Sequence, residues 1–234
     1  MYGVFTRAPG QAGLDAVKAS FRRPSDRSRR TLIFCCEAGT YADRLITGLS
    51  CEQTAPVSSD LPAFRYHPDP LASGSFRESA ESCACCNRAT GWIYTASFYT
   101  AQEVSGRFCP WCVADGSAAE RFAGEFIDSC GLDGVSEETV HEVTRRTPGF
   151  HAWQDPHWLV HCHEAAAFIG EVGYSELVAH PEALGQLRQD LRLGGGWHDA
   201  AQLEQFLTHL GEGATAMLFR CTICGSHLAY ADAS

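Results

Sequence analysis

The 234-residue chain lacks several features that would direct it to familiar functions. It has no uninterrupted apolar run long enough to cross a bilayer, so no helical membrane span is expected. The opening MYGVFTRAPGQAG shows no charged region followed by an apolar segment, so no secretory signal is expected either. Lysine occurs once, at Lys18, and methionine twice, at Met1 and Met217. With so few methionines, a start nearer Val57 on an alternative codon is a further expectation. No repeat period is present, which sets aside solenoids and arrays. His163-Glu164-Ala165-Ala166-Ala167 begins like the zinc-protease H-E-x-x-H, but Ala167 stands where the second histidine must be. No H-x-E precedes a P-C-x-x-C, as a zinc deaminase requires. Gly194-Gly195-Gly196 has no Lys-Ser/Thr after it to hold phosphate.

Cysteine, by contrast, is abundant, with 12 residues. Without a secretory signal the expected compartment is the cytoplasm, where thiols stay reduced and clustered cysteines read as metal ligands rather than disulfides. A hydrophobic share of 45% supports a real core, in one large domain or two small ones. Charge is uneven. Residues 1–60 carry eight basic and six acidic side chains, a balance of +2, and the remainder carries ten and 22, a balance of −12. An acidic surface keeps a protein in solution; as a field it attracts basic partners and repels nucleic acid.

Residues 1–60 differ in texture from the rest. They hold the basic run RRPSDRSRR and the cysteines Cys35, Cys36 and Cys51, which lack metal-type spacing. No amphipathic pattern surrounds TLIFCC, so this segment reads as a weakly folded N-terminal extension. From Leu61 the pattern is denser. LPAFRYHPDPLASGS reads as a short extended piece with Pro and Gly punctuation, and His67 beside Pro68 as a turn residue. Trp92–Tyr99 alternates as a strand. Residues 114–131 read as a helix capped by Asp115 or Ser117, with Phe122 and Phe126 on one face. SEETVHEVTRR reads as a helix capped by Ser136, and AAAFIGEVG as a strand. EALGQLRQDLRL and DAAQLEQFLTHL have helical spacing. AMLFRCTICGSHLAYAD reads as strand, cysteine turn, strand. The expected fold class is α+β, with zinc-ribbon-like cysteine turns joined to a small helical and β domain over residues 61–234.

Tetrahedral zinc takes four ligands, and a C-x-x-C turn presents two thiolates from one tight loop. This chain has such turns at Cys83–Cys86, Cys109–Cys112 and Cys221–Cys224. The first two are separated by 22 residues holding a strand able to return the chain. Cys83, Cys86, Cys109 and Cys112 are therefore assigned to one zinc, with Cys85 the spare thiol. The third pair needs two more ligands from among His161, Cys162, His163, Cys130 and His227. Cys162 with His161 is the choice, because a cysteine between two histidines is the densest remaining cluster. The intervening 58 residues are no obstacle, since loop-closure cost rises logarithmically. Two rival readings remain beside the metal. An unmetallated cysteine pair can pack as small apolar side chains. The CPWC turn of Cys109–Cys112 looks like a thioredoxin-type redox site, although the AQEVSGR before it is polar rather than a buried strand.

LPAFRYHPDPLASGSF, CACCNRATGWIYTASFY, FCPWCVADGSAAERFAGEF, TPGFHAWQDPHWLVHC and FRCTICGSHLAYAD together resemble the CbrC family of bacterial proteins, over residues 61–234. The resemblance implies a cysteine-rich intracellular protein linked to bacterial competition or envelope stress, since the name-bearing member is associated with tolerance to a DNA-cleaving colicin. It implies no reaction and no catalytic residue. Three function classes follow. The first is a zinc-stabilised, immunity-like binding protein that engages a basic toxin or another protein. The second is a nucleic-acid-associated zinc-ribbon protein, opposed by the acidic balance. The third is a thiol-disulfide oxidoreductase using the CPWC turn. The first is the reading adopted, with no nucleic acid and no membrane as partner.

Overall fold

The computed structural model describes residues 61–194 and 199–233, and the expectation for residues 1–60 lies outside them. The fold is α+β. β1 (Phe76–Ser82) and β2 (Ala89–Tyr94) form an antiparallel ribbon in which Phe76 faces Tyr94, with a register shift between Ser79 and Ser82. Two short helices follow, α1 (Pro110–Ala114) and α2 (Ser117–Arg121), then α3 (Glu137–Arg146). A four-stranded antiparallel sheet has the order β3 (Val160–His161), β4 (Glu164–Val172), β5 (Thr215–Cys221), β6 (His227–Asp232). Between β4 and β5 lie α4 (Tyr174–Leu177), α5 (Pro181–Leu193) and α6 (Ala200–Thr208). Among the described residues, no helix is long and apolar enough to cross a membrane.

Three apolar clusters divide the interior. The first packs Phe64, Phe76, Tyr94, Phe108 and Phe126 around buried cysteines of the first two C-x-x-C turns. The second packs Tyr66, Phe150, Trp158, Phe168 and Phe219 over one face of the large sheet. The third holds the leucines of α4, α5 and α6 against Ala216, Leu218 and Ala229. Met217 and Phe219 belong to the second cluster and Ala216 and Leu218 to the third, because successive side chains of β5 point to opposite faces. The segment before β1 stitches the first two clusters together. Phe64 enters the first and Tyr66 the second, while the Phe168 amide donates to the Tyr66 carbonyl at 2.8 Å.

Several elements match their sequence pattern. The Ser136 side chain accepts from the Thr139 amide and caps α3, and acidic Glu137 and Glu138 lie in its first turn where the helix dipole favours them. The helical spacing at α5 and α6 and the strand–turn–strand at β5–β6 also match. Three readings need correction. β2 ends at Tyr94; Tyr99 instead forms an isolated bridge with Glu125. The helix expected over residues 114–131 is only the short α2, because Gly116 and Ala123 adopt left-handed backbone and break it at both ends. Phe126 is drawn out of helix by its amide bond to the Thr144 carbonyl at 2.7 Å, so it shares no helix face with Phe122. β1 carries no apolar alternation, since only Phe76 in FRESAES is buried, and the sequence pattern did not show it.

Candidate metal centres

The first centre begins at the tip of the β1–β2 ribbon. Cys83 through Arg88 close a tight turn in which the Cys83 amide donates to the Arg88 carbonyl at 2.9 Å and the Asn87 amide to the Cys83 carbonyl at 2.8 Å. Asn87, immediately after the second cysteine, sits in the left-handed region at φ 62°, a conformation asparagine tolerates better than most residues. The other pair starts α1. Cys109 occupies its N-cap, Pro110 presets the first helical turn, and Cys112 lies one turn on. The ligand atoms of Cys83, Cys86, Cys109 and Cys112 all lie within 4.8 Å of one another. The Sγ atoms of Cys86 and Cys109 are 3.8 Å apart. A tetrahedral zinc with bonds of ~2.3 Å to sulfur requires sulfur–sulfur edges of about 3.8 Å. Cys85 is outside this quartet, and its Sγ lies 3.5 Å from the Ser117 hydroxyl.

The surroundings favour anionic sulfur at Cys83. The amides of Cys85 and Cys109 donate to Cys83 Sγ at 3.3 and 3.2 Å. The Cys109 thiol also bonds to Cys83, and together these donors draw the Cys83 thiol well below its usual range against the opposing cost of burial. Cys109 is pushed up by that same bond and then by burial, and Cys112 is pushed up first by burial and then by the Cys83 charge. Without a cation, one thiolate in this nest keeps its neighbours protonated. A divalent ion removes the conflict by supplying the counter-charge.

The second centre repeats the turn at the tip of the β5–β6 hairpin. The Cys221 amide donates to the Ser226 carbonyl at 2.8 Å, and the Gly225 amide to the Cys221 carbonyl at 3.1 Å. Gly225 stands where Asn87 stands in the first centre, at φ 79°, which glycine adopts without steric cost. The Ile223 and Cys224 amides both donate to Cys221 Sγ at 3.4 Å. The other two ligands come from the β3–β4 hairpin, whose two-residue loop is Cys162-His163. Both residues have positive φ, 54° and 57°, in the manner of a type I′ turn that usually takes Asn-Gly. His161 Nδ1 lies 3.2 Å from Cys162 Sγ and 3.3 Å from Cys224 Sγ. The ligand atoms of His161, Cys162, Cys221 and Cys224 all lie within 4.8 Å of one another.

Glu164 anchors this loop. Its Oε1 accepts from the Tyr66 and Thr139 hydroxyls, each at 3.0 Å, and from the Ala165 amide, while Oε2 accepts from Arg65 at 3.1 Å. Burial, first, pushes the Tyr66 phenol up to about 12; the Thr139 hydroxyl opposes this, and the bond to and charge of Glu164 add to it. The second centre opens to solvent, with Cys162 and Cys224 exposed. The Cys224 thiol is lowered to about 6, first by the Ser226 hydroxyl, and the Cys162 thiol is raised to about 11, first by its bond to Cys224.

The remaining sequence candidates lie elsewhere. Cys130 and His163 are exposed and join no cluster of ligand atoms among the described residues. His67 joins no cluster of ligand atoms among the described residues; it is buried, with its ring between the Pro148 carbonyl at 2.8 Å and the Ser73 hydroxyl at 2.7 Å. His227 is drawn away from the cysteines into a third group with His180 and Glu182. His180 and Glu182 were not marked by the sequence pattern: they stand two residues apart at the start of α5, and their partner His227 lies 45 residues away from Glu182.

A family model described as an uncharacterised protein family, UPF0167, matches residues 61–233. The chain belongs to that family. It is 47% identical over 176 residues to the UPF0167 protein Mb2317 of Mycobacterium bovis, covering 74% of this chain and 93% of the relative. It is 51% identical over 124 residues to the UPF0167 protein PA1536 of Pseudomonas aeruginosa, covering 52% of this chain and 69% of the relative. No solved structure gives a significant match. The chain is thus a cysteine-rich member of a bacterial family, with two quartets geometrically able to hold metal ions.

Proposed function

We propose that the protein is an intracellular zinc-stabilised binding protein acting through protein–protein contacts. Zinc would be held by Cys83, Cys86, Cys109 and Cys112, and a second zinc by His161, Cys162, Cys221 and Cys224. The observation that carries the reading is the sulfur spacing of 3.8 Å between two C-x-x-C turns inside the first apolar cluster, which matches a tetrahedral zinc edge. No residue of either quartet leaves an obvious position for substrate, so the metals serve architecture and leave the acidic surface to engage partners. A basic toxin is the partner of matching charge, as the CbrC resemblance suggests. The nucleic-acid reading runs against the balance of −12 over residues 61–234. The thiol-exchange reading runs against the burial of Cys109, which is 1% exposed with its thiol pushed up, whereas exchange needs an accessible thiolate.

Two measurements test the proposal. Elemental analysis of the full chain is expected to give at least two zinc ions, and less than half a zinc per chain overturns the metal reading. Calorimetric titration with an isolated basic nuclease domain of a toxin is expected to show saturable binding that weakens with salt, because the Debye length shrinks to ~8 Å near physiological ionic strength. Absence of heat at both low and high salt overturns direct inhibition of that toxin. Binding to duplex DNA instead would favour the nucleic-acid class.

A further inference from the structure

Outside the cysteine quartets, the structure gathers His180, Glu182 and His227, whose ligand atoms all lie within 4.8 Å of one another. We propose that these three residues form a further metal site of a different chemical kind, holding a divalent first-row transition ion through two imidazoles and one carboxylate.

The start of α5 and the start of β6 converge to build it. His180 occupies the N-cap of α5 but makes no side-chain cap bond, which leaves its ring available. Pro181 sets the first turn of α5 and places Glu182 in that turn. His227 opens β6, three residues beyond Cys224 on the same turn that carries the second quartet. Glu182 Oε1 lies 3.1 Å from His227 Nδ1 and also accepts from the His227 amide at 3.3 Å. The His180 and His227 rings approach to 3.9 Å between centroids.

An ion pair accounts for Glu182 and His227 alone and gives no role to His180. Two imidazoles this close can each give a lone pair to one cation, which gives His180 a role beside the Glu182–His227 pair. Nitrogen and oxygen donors on one tetrahedral ion with bonds of ~2.1 Å stand about 3.4 Å apart. Ligand atoms that all lie within 4.8 Å of one another, with Glu182 Oε1 and His227 Nδ1 3.1 Å apart, can close onto one ion by small side-chain rotations. Two imidazoles select zinc, cobalt, nickel or copper over magnesium and calcium, which prefer all-oxygen sets. Three protein donors leave coordination positions open to water, unlike the closed quartets.

Cobalt(II) titration of the apo full chain separates the sites, because thiolate-bound cobalt gives intense sulfur-to-metal charge-transfer absorption and a site of nitrogen and oxygen donors does not. The expected result is a further equivalent of cobalt, counted by equilibrium dialysis, that adds no charge-transfer intensity. His180→Ala and Glu182→Gln should each remove this equivalent and leave the thiolate absorption unchanged. Glu182 is exposed and His180 half-exposed, and neither belongs to a cysteine quartet. Saturation with the thiolate absorption and no further equivalent, or a further equivalent that persists in both variants, overturns the proposal. The charge-transfer signal reports the cysteine centres separately, so their failure and this one read apart.

Discussion

The two cysteine quartets use the same hairpin turn in opposite surroundings. Each begins with C-x-x-C at a ribbon tip, a left-handed residue after the second cysteine, and backbone amides aimed at the first sulfur. In the first, the second pair starts a helix and aromatic side chains close over it, leaving Cys83, Cys109 and Cys112 no more than 5% exposed. In the second, the other two members are His161, at the end of β3, and Cys162, in the two-residue loop that follows, and Cys162 and Cys224 face solvent. The same local chemistry can therefore support a core in one place and an accessible, exchangeable centre in the other.

The sharpest test of this contrast is to remove one ligand from each. Cys109→Ser should release metal and unfold the region around the first cluster, because zinc thiolate sites contribute on the order of 10 kcal/mol to small domains. Cys224→Ser should lose one zinc and cost on the order of 4 kcal/mol while the first cluster stays folded. Zinc analysis with hydrogen exchange of β1–β2 against β5–β6 distinguishes them, and equal loss in both variants would dissolve the contrast. A chelator should likewise strip the exposed centre faster than the buried one, read as two kinetic phases of zinc release.

A smaller effect concerns the segment that joins the two regions. His67 lies on it, edge-on to Phe168, and burial lowers its pKa from 6.5 to about 4. The folded ring therefore resists a proton that the unfolded ring accepts. Its contribution is full above pH 6.5 and is lost as pH falls toward 4, by about 3 kcal/mol. Histidine NMR should find this ring neutral until near pH 4; titration near 6.5 would contradict its place in the seam. The smallest effect compares the two left-handed turn residues. Gly225→Ala should cost about 1–2 kcal/mol through backbone strain alone, since no atom lies within 4 Å of the added Cβ. Asn87→Gly should be close to neutral. Chemical denaturation measures both.

Much of the fold was legible where a pattern is local. Ser136 marked the start of α3, and the β5–β6 hairpin announced itself by apolar strands on both sides of C-x-x-C. β1 was not legible, because a two-stranded ribbon with one buried residue leaves no alternation to read. The region around α2 misled because its phenylalanines have helical spacing, while long-range bonds from Tyr99 and Thr144 hold residues 125–126 extended. The Cys162-His163 loop carried no Asn-Gly signal, although both residues adopt positive φ.

The sequence by itself determined the ligand chemistry: cysteine type and spacing define turns of a few residues, and such turns need little beyond themselves to form. It also determined the helices and strands whose apolar period is strong. Only the tertiary structure decided which quartet is buried and which is open, because burial depends on the aromatic side chains that distant segments bring over a turn. It also decided that His227 meets His180 and Glu182 rather than Cys221 and Cys224. That outcome follows from the packing of α5 against β6, where a residue adjacent in sequence to one centre is turned by strand geometry toward another.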